Sequence, residues 1–189
     1  EELRRILGSQ LEGIELIGYD GPEPVEDGDT FEANALIKAR AASEYTGLAA
    51  LADDSGICVD ALGGAPGIFS ARYAGTRDDT DNYRLLLENL GYNPNRAANF
   101  MCAAALVVPA AAAVADAAAA PFEHAELGVW PGTIARQAAG VGGFGYDPIF
   151  IPNGLSVTSA ELSAAEKDAL SHRSRAFAQL MPLVRSRLL

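Results

Sequence analysis

Two adjacent carboxylates, Asp53 and Asp54, follow the apolar run Leu48-Ala49-Ala50-Leu51 and precede Ser55-Gly56. A short apolar run closed by a glycine reads as a buried strand that delivers its end to a surface turn. Bare carboxylates there are costly to bury unless a cation meets them. Hard oxygen donors of this kind suit Mg²⁺. In the chemical reading one aspartate binds the ion and one activates water. In the plain reading one caps an acidic turn and the other is solvated. Ser55 and Gly56 add a hydroxyl and a pliable backbone where a phosphate can approach.

Three further groups carry possible chemistry. Lys38, within Ala35-Leu36-Ile37-Lys38-Ala39, either snorkels or meets a phosphate as a point charge. Gly142-Gly143-Phe144-Gly145-Tyr146-Asp147-Pro148 allows close backbone approach to a ligand. There Phe144 offers a flat face to a base and Asp147 an acceptor to its edge; the alternative is a glycine-rich turn around a core aromatic. His172 and Arg173 place an imidazole beside a guanidinium, suited to a phosphate or a purine carbonyl or else to a solvated helix face. Lys167 shares a helix face with Ser171, four residues on. His124, near Glu123 and Glu126, reads as surface, because no cysteine or second histidine completes a zinc site. The chain has no nucleophile elbow, Walker motif or dinucleotide fingerprint, so any phosphate is handled by other means.

The elements that must position these groups alternate between helix and strand. A helix is expected from Glu2 to about Leu11, a short strand over Ile14 to Ile17, and a loop from Gly18 to Gly28. Asp29 or Thr30 caps a long helix reaching about Tyr45. Strands over Leu48 to Asp53 and Ile57 to Ala61 flank the acidic turn. Thr80 or Asp81 caps a helix through Leu90, with Tyr83, Leu86, Leu87 and Leu90 as its apolar stripe. Phe100 to Val108 and Phe122 to Trp130 read as a hairpin around an alanine-rich, low-complexity segment. A strand over Pro148 to Ile151 and a closing helix from Ser163 to Leu188 complete the chain. That helix opens on a Ser163/Glu166 capping box, and Pro182 is expected to kink or break it. The interleaving gives an α/β or α+β class.

With 189 residues, 49% of them hydrophobic and 21% charged, the chain is expected to be one globular domain, 1–189, of two lobes. A net charge of −11 argues against a nucleic-acid surface and makes a metal-bridged anion site more plausible than a purely basic one. The apolar stretch from Ala103 to Ala120 is interrupted by Pro109 and Asp116 and is too rich in alanine for a membrane span. No signal peptide is visible. Cys58 and Cys102 read as reduced, buried thiols of a cytoplasmic protein.

Five ordered segments resemble the inosine triphosphate pyrophosphatase family. They are Thr30-Phe31-Glu32-Ala33-Asn34-Ala35 with Lys38-Ala39; Ala52 to Gly56; Leu62 to Gly67 with Ser70-Ala71-Arg72-Tyr73; Gly142 to Phe150; and Ala160-Glu161-Leu162 with Glu166-Lys167 and Ser171-His172-Arg173. The resemblance implies an elongated α/β fold with a mixed central sheet, a cleft between two lobes, and a homodimer. It implies Mg²⁺-dependent hydrolysis of ITP, dITP or XTP to the monophosphate and pyrophosphate. By motif position Asp54 is the proton acceptor and a metal ligand, with Asp53 beside it and Glu26 as the partner ligand. Lys38 and Ser55 contact the triphosphate. Phe144, Gly145, Tyr146 and Asp147, joined by Lys167, His172 and Arg173, hold the base. The family also begins with a strand ending in a Ser/Thr-x-Asn-x-x-Lys phosphate loop, and Glu1 falls just after the place where that loop ends. Two other readings use the same residues: a non-catalytic nucleotide-binding protein, and a broader pyrophosphatase resembling the Maf family.

Overall fold

The computed structural model describes residues 2–110 and 121–189. The expectation for the alanine-rich turn falls largely outside them. The described helices are α1 (Glu2–Leu7), α2 (Phe31–Thr46), α3 (Asp79–Leu90), α4 (Ala164–Leu170) and α5 (His172–Leu188). Four strands, β1 (Ala50–Val59), β2 (Ala97–Val108), β3 (Phe122–Ile134) and β4 (Phe150–Pro152), form one sheet in the order β1-β2-β3-β4. Helices and sheet together give the expected α/β class. Among the described residues no helix is long and apolar enough to cross a membrane.

The chain divides into two compact units. The first comprises Glu1–Asp54, Cys102–Gly128 and Arg173–Leu189. In it Cys102, Ala104, Leu106 and Val108 alternate along β2 and so share one strand face. Ala176, Phe177, Leu180, Met181 and Val184 recur at helical spacing on α5 and pack in the same cluster, together with Leu7 of α1. Burial of each large side chain there is worth about 1.5–3 kcal/mol. β2 is buried continuously from Cys102 to Val108, which is why it reads as an unbroken apolar run rather than as an alternation.

The second unit comprises Ser55–Met101 and Val129–His172. Its core joins Ile57 and Val59 of β1, Phe100 of β2, Trp130 and Ile134 of β3, and Phe150 of β4 to Leu86 and Leu90 of α3. Here β3 and β4 run antiparallel, with Gly132 opposite Pro152 and Ile134 opposite Phe150.

Several expected boundaries are corrected. The acidic turn between two strands does not exist: β1 runs unbroken through Asp53 and Asp54. Pleating sends neighbouring side chains to opposite faces, so each carboxylate finds its own partners without a turn. No strand forms over Ile14–Ile17, where Arg4 donates to the Leu16 carbonyl instead. The cap of α3 is Asp78, whose carboxylate accepts from Asp81 N at 3.0 Å. The closing helix is two helices, because Ser171 adopts an extended backbone between α4 and α5. Its expected capping box is present, with Ser163 and Glu166 exchanging bonds. Pro182 lies inside α5, which continues to Leu188. A 3₁₀ turn over Asp147–Ile149 delays β4 to Phe150.

Two predictions follow from this packing. A Cβ built at Gly132 lies 2.4 Å from the Ile151 carbonyl oxygen and 2.6 Å from the Phe150 ring. Gly132→Ala is therefore expected to cost about 1–3 kcal/mol in urea unfolding, and an unchanged midpoint would refute the close approach. Burial, then the neighbouring Asp53 charge, raises the Cys102 thiol pKa, and burial with Asp60 raises that of Cys58. Both thiols stay protonated near neutrality, so iodoacetamide at pH 8 should label folded protein slowly at Cys58 and hardly at Cys102, and unfolded protein at both.

Candidate active site

In the first unit a helix and a strand bring opposite charges together. Thr30 caps α2, its hydroxyl accepting from Ala33 N at 3.1 Å. Asn34 and Lys38, four residues apart, lie on one face of that helix. The Asn34 side-chain oxygen accepts from Gly28 N at 2.9 Å, which ties the Glu26-bearing loop to the helix. A Cβ at Gly28 would lie 2.7 Å from that oxygen, so only glycine permits the approach. Lys38 Nζ then donates to Asp54 Oδ1 at 2.9 Å and pairs with Glu26 Oε2 at 3.3 Å. The other Asp54 oxygen, Oδ2, is buried with no hydrogen-bond partner among the described residues. Burial raises the proton affinity of Asp54, Lys38 opposes this, and Glu26 adds to it; the net direction is upward. Burial alone would lower the Lys38 pKa, but Asp54 and then Glu26 outweigh it and raise it. The cluster combines a carboxylate inclined to accept a proton with a cation held against it.

Asp53 lies elsewhere in the same unit. Its Oδ2 accepts from Arg173 Nε at 3.0 Å and Nη2 at 2.7 Å, while Arg173 Nη1 reaches Glu2 at 2.7 Å. Cys102 Sγ is 3.7 Å from the same Asp53 oxygen. The structure thus does not bring Asp53 together with Glu26 and Asp54. Two carboxylates, Asp53 and Glu2, hold the Arg173 guanidinium. Among the described residues no cluster of three or more His, Cys, Asp or Glu stands ready for a metal ion. Glu26 and Asp54, with the partnerless Oδ2, are the pair that fits one best.

The second unit holds a cavity of about 180 Å³ lined by Ser55, Gly56, Phe100, Phe144, Lys167 and His172, among others. Its floor is an ion pair. Asp147, only 1% exposed, accepts from Lys167 Nζ, from Phe144 N at 2.9 Å and from Ser159 Oγ at 2.7 Å. A buried carboxylate must be satisfied in this way. Asp147 is therefore the anchor of the glycine loop, where the sequence suggested an acceptor for a base edge. A Cβ at Gly143 would fall 2.0 Å from Asp147 Oδ2, and this residue's φ of +70° also requires glycine. Phe144, by contrast, is half exposed, with Lys167 Nζ 4.6 Å from its ring centroid. Asp79 accepts from Gly145 N at 2.7 Å, and Tyr146 donates its hydroxyl to the Ser70 carbonyl at 2.7 Å. His172 is buried with its ring stacked on Phe100. Sequence reasoning missed Gly28, Asn34, Ser70, Asp79, Phe100 and Ser159. Asn34 and Ser70 did lie within the segments that resemble the family, and Asn34 is also a polar residue four positions before Lys38.

A model of the Ham1 family matches residues 1–183. A dITP/XTP pyrophosphatase of Leifsonia xyli is 57% identical over 188 residues, covering 98% of this chain and 89% of that protein. Among solved structures, the Staphylococcus aureus Ham1 protein superposes with a TM-score of 0.83 at 35% identity, covering 98% of this chain and 92% of that one. A nucleoside-triphosphatase, dITP/XTP pyrophosphatase, from Mycobacterium abscessus gives 0.74 at 47% identity, covering 97% and 92%.

The Asp147–Lys167 pair makes a test of the cavity floor. Asp147→Asn leaves a buried ammonium without its counter-charge and is expected to cost about 3–5 kcal/mol. The double variant Asp147→Asn with Lys167→Met should recover part of that loss in denaturant unfolding. Additive losses would show that the two groups are not coupled.

Proposed function

The chain belongs to the Ham1 family, and on that premise we propose that it hydrolyses dITP, XTP and ITP to the nucleoside monophosphate and pyrophosphate. The observation that carries the chemistry is Asp54: one oxygen held by Lys38, the other buried and unpartnered. A carboxylate whose proton affinity is raised by burial is a competent general base for water. In this reading Asp54 accepts the proton of the water that attacks the α-phosphorus. Lys38 keeps Asp54 ionised beforehand and offers its charge to the phosphates, with the Ser55 hydroxyl as a further donor. Glu26 and Asp54 would hold a divalent ion, Mg²⁺ in this proposal. When bound, it supplies Lewis-acid polarisation of the phosphoryl oxygens and offsets the charge of the leaving pyrophosphate.

The second unit reads the base. Phe144 offers its exposed ring for stacking, and Gly145 and Tyr146 shape the loop that carries it. Asp147 holds Lys167 in place, and Lys167 and His172 present donors to a purine carbonyl at C6. Adenine carries an amino group there, so donor would face donor and buried polar groups would go unpaired, which is a costly mismatch. Arg173 supports the start of α5 through Asp53. The same reading expects a cytoplasmic homodimer, and sedimentation at micromolar concentration checks the dimer.

Purified protein with Mg²⁺ should release pyrophosphate from ITP, dITP and XTP well ahead of ATP, GTP and dTTP. Binding of ITP without turnover would defeat the catalytic reading, and indifference to the base would favour a broader pyrophosphatase. Asp54→Asn is expected to lower kcat by about 10²–10⁴-fold while the protein stays folded by circular dichroism. Full turnover in that variant would remove Asp54 as the base.

A further inference from the structure

Behind His172, the cavity of the second unit has aromatic side chains to which the proposed reaction assigns no role. His172 lies with its ring 4.7 Å from that of Phe100 at an interplanar angle of 8°, and 6.2 Å from Trp130 at 17°. Phe100 is in turn met edge-on by Phe150 at 4.6 Å and 68°. All four side chains are buried. Phe100 and His172 both line the cavity.

A near-parallel stack at this separation is the offset arrangement that aromatic rings favour. It resists tilting of the imidazole out of its plane. Both ring nitrogens lie in that plane, so the plane fixes the direction along which an N–H can donate. Hydrogen bonds weaken steeply when donor and acceptor are misaligned. Discrimination between a carbonyl and an amino group therefore depends on how well the ring is held, as well as on the presence of the histidine. β2, which carries Phe100, supplies the holding surface.

We propose that Phe100 is a positioning residue for base specificity: its stacked ring sets the plane of His172 and so the preference for a purine carrying a carbonyl at C6. The proposal rests on the assignment of His172 to base recognition. Phe100→Leu keeps the site apolar and removes the flat face. The ratio of kcat/KM for ITP over ATP should fall by roughly tenfold, the scale of a single lost specificity contact, with most of the loss in KM for ITP. Phe150→Leu is the control, since it thins the same core without removing the face beneath the imidazole; its ratio should stay within about twofold of the unmodified protein, on the same scale. Equal falls in both variants, or no fall in Phe100→Leu, would overturn the proposal. An independent readout covers a variant that fails to fold. The chain has two histidines, and the ring current of Phe100 should move the His172 Hε1 proton resonance of the unmodified protein upfield of that of the exposed His124. A His172 resonance at the unshifted position would overturn the stack. If the unmodified protein hydrolyses no ITP, the function proposed above fails, and the resonance alone then decides whether the ring is held.

Discussion

A buried charge must be met, and the arrangement of this molecule follows from how its buried charges are met. Three carboxylates on or near strands, Asp53, Asp54 and Asp147, are substantially withdrawn from water, and each has recruited a cation from a helix. Arg173 comes from α5, Lys38 from α2 and Lys167 from α4. Leaving any of these partners out would strand a charge at a cost of several kcal/mol. The ion pairs therefore tie helix to strand.

The three pairs are not equivalent. Asp147 accepts from an ammonium, a backbone N–H and a hydroxyl, so the pair supports the glycine loop. Asp53 is held by two nitrogens of one guanidinium, a geometry suited to fixing the start of α5. Asp54 alone of the three leaves an oxygen buried and without a partner. That buried, unpartnered oxygen is the observation on which the role proposed for Asp54 rests.

The aromatic residues of the second unit contribute in a parallel way. Phe100, Trp130 and Phe150 belong to its hydrophobic core, and the first two also lie near-parallel to the His172 ring. Phe144, outside that core, has its ring half exposed. One set of side chains gives rigidity and another gives a surface, and the glycine loop anchored by Asp147 joins the two functions.

Much of this was legible in the residues themselves. The apolar periods of α2, α3 and β2 announce their elements, the Ser163/Glu166 box announces α4, and the five ordered segments point to the family. Local sequence settles such features because helix caps, strand alternation and turn glycines depend on neighbours a few positions away. The residues also singled out Asp54, Lys38 and His172 as candidates, and the resemblance added Glu26 and Lys167. The sequence could not say that Asp53 and Asp54 part company, because a doublet reads alike in a turn and in a strand; only pairing of β1 through both residues sends them to opposite faces. It could not show Asp147 closed off by Lys167 and Ser159, twenty and twelve residues away. Nor could it set Phe100 beneath His172. Those are contacts between distant parts of the chain, decided when side chains compete for one buried volume, and no local pattern encodes the outcome.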